Sequence, residues 1–347
     1  MYQRGRSLFS RFLIFAFVLL LIVPSIALAF KEVKFAVISD PHLSLPVANT
    51  ENKVKMEDSS VELFREAINK INSISGLDFV ILTGDLTKDV EPWNIDLLRE
   101  MLEEVNVPVF AVLGNHEVSP LPVKGKDPSL ASLIGDSKYT IIWALQGYGF
   151  NGPRSYWSAE PIPGLYLIGL DTTKIGSWGG KLSKAQLEWL DKELYKNKDK
   201  LTIVIGHHLL VPFRKEELKP EWKNFYLDNA EEVIKLFERY PQVSFYLCGH
   251  RHVSTVPVEK NGIWYIVNAS TLTYPMSITI YTLTPEELKY EVIRLEATKD
   301  IWEVARKTMG EDPWWKPHKD ATVEETLAYY EAKEFMKFSM PVRFKKK

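Results

Sequence analysis

The 347-residue sequence contains one cysteine, Cys248, so no intrachain disulfide can form and the fold has to stand on its core. Placed at the end of the apolar run 243–248, that thiol reads as a buried, inert side chain. Charge of one sign is missing as well. Lys and Arg number 43 against 45 Asp and Glu, which leaves a net charge of −2, and nothing in this balance suggests a nucleic-acid surface. No internal repeat or low-complexity tract occurs, which excludes a solenoid. The length suits one large domain with an appendage.

One long uncharged run does occur. Arg4, Arg6 and Arg11 precede residues 12–30, and Ala27-Leu28-Ala29 gives that run an A-x-A-like end. Residues 1–29 therefore have the build of a secretory signal peptide cleaved after Ala29. The length also suits an uncleaved membrane anchor, with membrane contact through residues 12–30. Positive charge ahead of the run places the bulk of the chain on the non-cytoplasmic side in either case. The expected location is extracytoplasmic, secreted or anchored.

Short β-rich runs then alternate with amphipathic stretches, the pattern of an α/β domain. Strands are predicted over 34–39, 79–83, 108–113, 165–170, 201–205, 243–248 and 263–268. Helices are predicted over 61–74, 95–105, 183–194 and 229–239, the third with Ser183 as N-cap and Gln186 in the capping-box position. Residues 278–283 and 291–295 read as late strands of a second sheet. Between 118 and 163 the pattern breaks into Pro, Gly and aromatic residues, read either as an insertion over the site or as a loop whose aromatics cover the core. The main domain is taken as 30–296, and 297–347 as a C-terminal helical extension.

Six of the seven histidines lie in four short blocks. These are Asp40-Pro41-His42, Gly114-Asn115-His116-Glu117, Gly206-His207-His208 and Gly249-His250-Arg251-His252; a fifth block is Gly84-Asp85. In open α/β sheets ligands gather beyond the carboxyl ends of strands, where these blocks fall. Asp40 and His42, two apart, can point the same way if the segment is extended, and His250 and His252 repeat the spacing. With Asp85, Asn115 and His207 they offer seven nitrogen and oxygen donors, too many for one ion and right for two that share a carboxylate. The donor set suits borderline divalent ions such as Mn, Fe, Zn or Co.

Taken in order, the blocks D-x-H, G-D, G-N-H-E, H and G-H-x-H resemble the calcineurin-like metallophosphoesterase superfamily over residues 33–281. The resemblance implies a four-layer α-β-β-α sandwich of two mixed sheets with flanking helices. It also implies a two-metal centre: Asp40, His42, Asp85 and His252 on one ion, Asp85, Asn115, His207 and His250 on the other, with Asp85 bridging. His116 is implied to face the scissile phosphoester, stabilising charge or protonating the leaving oxygen, while a metal-bound hydroxide attacks. Of the pair His207-His208, the first is taken as the ligand. Purple acid phosphatases carry a metal-binding tyrosine where Lys88 stands here, so the chain is more similar to cyclic-nucleotide and glycerophosphodiester phosphodiesterases.

The expected activity is hydrolysis of a small phosphodiester, with a phosphomonoesterase or nucleotide pyrophosphatase as the alternative. A non-catalytic binding protein on the same fold is the reading from a different class. Arg154 and Arg251 could meet a phosphate, and each also reads as an ordinary structural cation.

Overall fold

The computed structural model describes residues 30–45, 54–118 and 137–344. Residues 1–29, expected to be a signal or anchor, lie outside the described residues. Among the described residues no helix is long and apolar enough to cross a membrane.

Two six-stranded mixed sheets form the frame. The first contains β1 (Val33–Ile38), β2 (Phe79–Leu82), β3 (Val109–Ala111), β12 (Ser277–Leu283), β13 (Glu287–Arg294) and β14 (Lys337–Pro341), in the order β14-β13-β12-β1-β2-β3. The second contains β4 (Trp157–Ile162), β5 (Leu165–Gly169), β8 (Leu201–Ile205), β9 (Val243–Cys248), β10 (Val258–Lys260) and β11 (Ile263–Val267), in the order β10-β11-β9-β8-β5-β4. A short ribbon pairs β6 (Thr173–Lys174) with β7 (Ser177–Gly180).

Alternation along the strands of the second sheet separates the layers. Leu165, Leu167, Phe245 and Leu247 join the core shared with the first sheet. Their neighbours Tyr166, Ile168, Tyr246 and Cys248 point the other way, into a second core closed by Leu190 and Leu194 of helix Lys184–Lys196 and by Val233 and Phe237 of helix Ala230–Glu238. Helices Ser60–Ser73 and Pro92–Glu103 bury Leu63, Phe64, Ala67, Ile95 and Leu98 in the larger core with the first sheet. The result is the expected α-β-β-α sandwich. Cys248 is fully buried, as its place in the sequence implies.

Three local expectations need correction, and one open alternative is decided at Trp157. The strands near 278–283 and 291–295 belong to the first sheet, because β12 pairs antiparallel with β1 and stacks Tyr281 on Phe35 at 4.9 Å. Sheet membership is decided by such tertiary pairing, which local pattern does not carry. The C-terminal extension is helical only through Met336; Lys337–Pro341 returns as the edge strand of the first sheet, paired with β13. Ser183 caps its helix by accepting from the Gln186 amide at 3.2 Å, but the Gln186 side chain reaches away to bond both backbone groups of Asp171. In the 118–163 segment, Trp157 is buried and donates Nε1–H to Ala111 O at 2.7 Å, so this aromatic covers core; residues 119–136 lie outside the described residues.

Candidate metal centre

Every sequence block sits just beyond the carboxyl end of a parallel strand. The first sheet supplies Asp40 and His42 after β1, Asp85 after β2 and Asn115 with His116 after β3. The second supplies His207 after β8, and His250 and His252 after β9. The site therefore straddles the junction of the two sheets.

The backbone at these positions is not extended. Asp40, His42, Asp85, His250 and His252 all have positive φ, between 38° and 67°. The two-apart donors thus converge by tight left-handed turns, each costing on the order of 1–3 kcal/mol that the surroundings must offset. Cross-loop bonds supply part of that. His42 N donates to Asp85 O at 2.9 Å, and the Asp40 carboxylate accepts from His250 N at 2.9 Å. Glu117 ties two loops together, accepting from the amides of Leu86 at 2.9 Å and Gly114 at 2.8 Å. Burial pushes the Glu117 carboxyl up to about 7. Space also constrains the turns: a Cβ on Gly84, whose φ is +94°, would lie 2.6 Å from His207 Nδ1.

The donor atoms fall into two groups that share Asp85. Asp40, His42, Asp85 and His252 form one; Asp85, His207 and His250 form the other, and within each all ligand atoms lie within 4.8 Å of one another. Asn115 joins the second group, with Oδ1 3.1 Å from His207 Nε2. Asp85 Oδ2 stands 3.5 Å from His42 Nε2 and 3.3 Å from His207 Nε2. All seven sequence-predicted donors are thus brought together.

The outer ring nitrogens fix what the inner ones can do. His207 donates Nδ1–H to Thr83 O at 2.9 Å, and His250 donates Nε2–H to Asn224 O at 3.1 Å. In the neutral rings the lone pairs of His207 Nε2 and His250 Nδ1 then face each other at 3.0 Å. Two buried lone pairs so placed beside a carboxylate are stable only around a cation or a proton. Burial opposes charge on His207, yet Asp85 and Asp40 raise its pKa to about 9, while Asp85 is held well below its ordinary value despite its own burial, chiefly by His207. The donor chemistry fits divalent metal, with nitrogen and oxygen ligands and no sulfur.

His208 is engaged elsewhere. Its Nε2–H donates to Trp178 O at 2.9 Å and Nδ1 accepts from Thr172 Oγ1 at 2.8 Å, so neither nitrogen is available to the centre. His116 lies with its ring 4.4 Å from that of His42, edge-on. Its Nδ1 bonds Lys88 O, its amide donates to Asp85 Oδ1 at 3.0 Å, and Nε2 has no partner among the described residues. Burial disfavours its charged form, but Asp85 and Asp89 outweigh that and raise its pKa.

Neither arginine flagged in the sequence meets the centre. Arg154 stacks on Tyr156 at 5.6 Å. Arg251 is fully buried, donates Nε–H to Glu217 Oε1 at 3.1 Å and lies over Trp222 at 4.4 Å and Trp315 at 5.3 Å. The cation that does reach the centre is Lys55, with Nζ 3.3 Å from His42 Nε2. No motif marks it, and it arrives through an isolated bridge to Thr273, distant in sequence. Thr273 in turn bonds His252 Nδ1 through Oγ1 at 2.9 Å, a support equally silent in the sequence.

A family model described as calcineurin-like phosphoesterase matches residues 33–254, the stretch that holds all of these loops. The chain belongs to the calcineurin-like phosphoesterase family. As such it is a metal-dependent phosphoester hydrolase, and its paired donor clusters have the composition of a dinuclear divalent site. This phosphoesterase is 28% identical over 230 residues to a probable glycerophosphodiester phosphodiesterase of Arcobacter nitrofigilis, covering 64% of this chain and 73% of that one. It is 26% identical over 242 residues to a 3',5'-cyclic adenosine monophosphate phosphodiesterase of Haemophilus influenzae, covering 69% and 76%. Among solved structures, a dimetal phosphatase of Danio rerio superposes with a TM-score of 0.58 at 18% identity, covering 77% of this chain and 98% of that chain, which shows the shared fold.

Proposed function

We propose that this phosphoesterase hydrolyses a phosphodiester at a two-metal centre, outside the cytoplasm. The observation that carries the reading is the sharing of the Asp85 carboxylate by both donor clusters, with His116 held against it. Asp40, His42, Asp85 and His252 would hold one ion; Asp85, Asn115, His207 and His250 would hold the other. Bound there, divalent ions supply Lewis acidity and make a water nucleophilic near neutral pH.

The remaining chemistry belongs to the chain. The Thr83 and Asn224 carbonyls keep the His207 and His250 tautomers that present a lone pair inward. His116, fixed through Nδ1 by the Lys88 carbonyl, carries a proton on Nε2 when charged and can deliver it to the leaving oxygen. The two phosphodiesterase relatives support a diester substrate. The arginines ahead of residues 12–30 support an extracytoplasmic location, with the leader either removed or retained as an anchor.

Turnover of chromogenic aryl phosphodiester and phosphomonoester by metal-reconstituted protein tests the reading. Diester turnover is expected to exceed monoester turnover. Stoichiometric metal with no turnover of either ester would overturn it.

A further inference from the structure

Around the centre, most cations are already neutralised. Lys88 pairs with Glu57 at 2.8 Å, Lys138 pairs with Asp171, and Arg251 pairs with Glu217 at 3.1 Å. Lys55 differs. No carboxylate lies within ion-pair distance of it among the described residues, and its ammonium rests 3.3 Å from His42 Nε2. Its charge also bears unfavourably on His116 and His252.

The position is built rather than incidental. Met56 N donates to Leu272 O at 3.0 Å, and Lys55 pairs antiparallel with Thr273, the residue whose hydroxyl bonds His252. One short segment thereby fixes both a candidate metal ligand and the root of this lysine. The half-buried ammonium lies beside His42 without a carboxylate in ion-pair contact among the described residues, the nearest charge of the centre being Asp85 across His42. Such a placement is explained by an anion that arrives from outside.

We infer that Lys55 binds a non-bridging oxygen of the substrate phosphoryl group, an inference that rests on the phosphoesterase reading above. His42 Nε2 cannot serve both an ammonium and a metal ion. An ion held by His42 would displace the ammonium, whose backbone stays anchored by the pairing of Lys55 with Thr273. A phosphoryl oxygen entering the centre is then an acceptor for the ammonium, and the contact is charge-assisted. The same contact would hold inorganic phosphate.

Lys55→Met and Lys55→Arg in the full chain test this, with metal content measured by elemental analysis and inorganic phosphate binding by calorimetry. Lys55→Met is expected to keep both ions and to bind phosphate about 10- to 100-fold more weakly, the range that a hydrogen bond to a charged group supplies. Its KM for a phosphoester should rise, and at limiting metal its ions should bind more tightly, because a competing cation has gone. Lys55→Arg should restore most of the phosphate affinity. Unchanged phosphate affinity in Lys55→Met, or loss of metal from it, would overturn the inference. Wild-type protein that binds metal and phosphate but turns over no phosphoester would sink the functional reading and leave the role of Lys55 standing. Turnover by wild type with Lys55→Met unaffected in KM and phosphate binding would do the reverse.

Discussion

Arg251 donates its Nε–H to Glu217 at 3.1 Å with both side chains fully out of solvent, and it does so between His250 and His252. The pair sits in an aromatic enclosure. Trp222 lies 4.4 Å and Trp315 5.3 Å from the guanidinium, and Trp314 stacks on Trp222 at 4.7 Å. Phe225 completes the link to the site, with its ring 4.9 Å from that of His250. The C-terminal extension thus closes over the back of a loop that carries two candidate ligands.

Removing the carboxylate charge should expose this coupling through pH. Burial pushes Glu217 up, but Arg251 and the Phe213 amide hold its pKa below the ordinary 4.5. A depressed folded pKa contributes stability that is fully present above 4.5 and lost as pH falls through the folded value. Glu217→Gln should therefore be less stable than wild type near pH 7, by about 3 kcal/mol for a buried pair left with one partner. Urea denaturation across the acid range should show the gap narrowing below pH 4.5. A gap independent of pH would remove the ion pair as its cause.

Asp85→Asn should lose more metal than His42→Ala or His207→Ala, because one carboxylate serves both clusters while each histidine serves one. Elemental analysis after dialysis makes the comparison. Two ions retained per chain would remove the sharing of Asp85.

His208→Ala should keep both ions, since its ring nitrogens are spent on Trp178 and Thr172. His207→Ala should not. The effect of His208→Ala should appear instead as faster proteolysis of the ribbon Thr173–Gly180, read by limited digestion. The opposite metal pattern would exchange the roles of the two histidines.

His116→Gln should slow an alkyl phosphodiester more than an aryl one, at unchanged metal content. A strongly basic alkoxide must be protonated as it leaves, whereas a nitrophenolate needs little help. General acid catalysis supplies about 10²–10⁴-fold, so the difference between substrates is measurable. Equal slowing would leave His116 as a fixed donor to the phosphoryl oxygens.

For location, N-terminal sequencing of protein from its native host is expected to begin near Phe30 or Lys31 if the leader is cleaved. Intact chain in the membrane fraction would select the anchor. Intact chain in the soluble cytoplasm would contradict both.

The strand ends and the seven donors were legible because each block follows a short apolar run and repeats a residue type that chance would scatter. The left-handed turns at Asp40 and His250 were not, since spacing alone fits an extended segment equally well. Membership of β12 in the first sheet depends on pairing with β1, more than two hundred residues away, and so escapes local pattern. Edge strand β14 is five residues long with Pro341 at its end, too brief to show a period. Lys55 lacked any signal, and Glu117 was marked only as the last residue of its block, with no role attached. Their meaning lies in which backbone they meet, Thr273 for one and Leu86 with Gly114 for the other.

The described residues after 297 touch both halves of the sandwich. Trp315 caps Arg251 beyond β9, Lys337–Pro341 lies along β13 of the opposite sheet, and Phe344 N then crosses back to Ser244 Oγ of β9 at 3.3 Å. One segment thereby bridges the two sheets, each of which supplies part of the candidate metal centre.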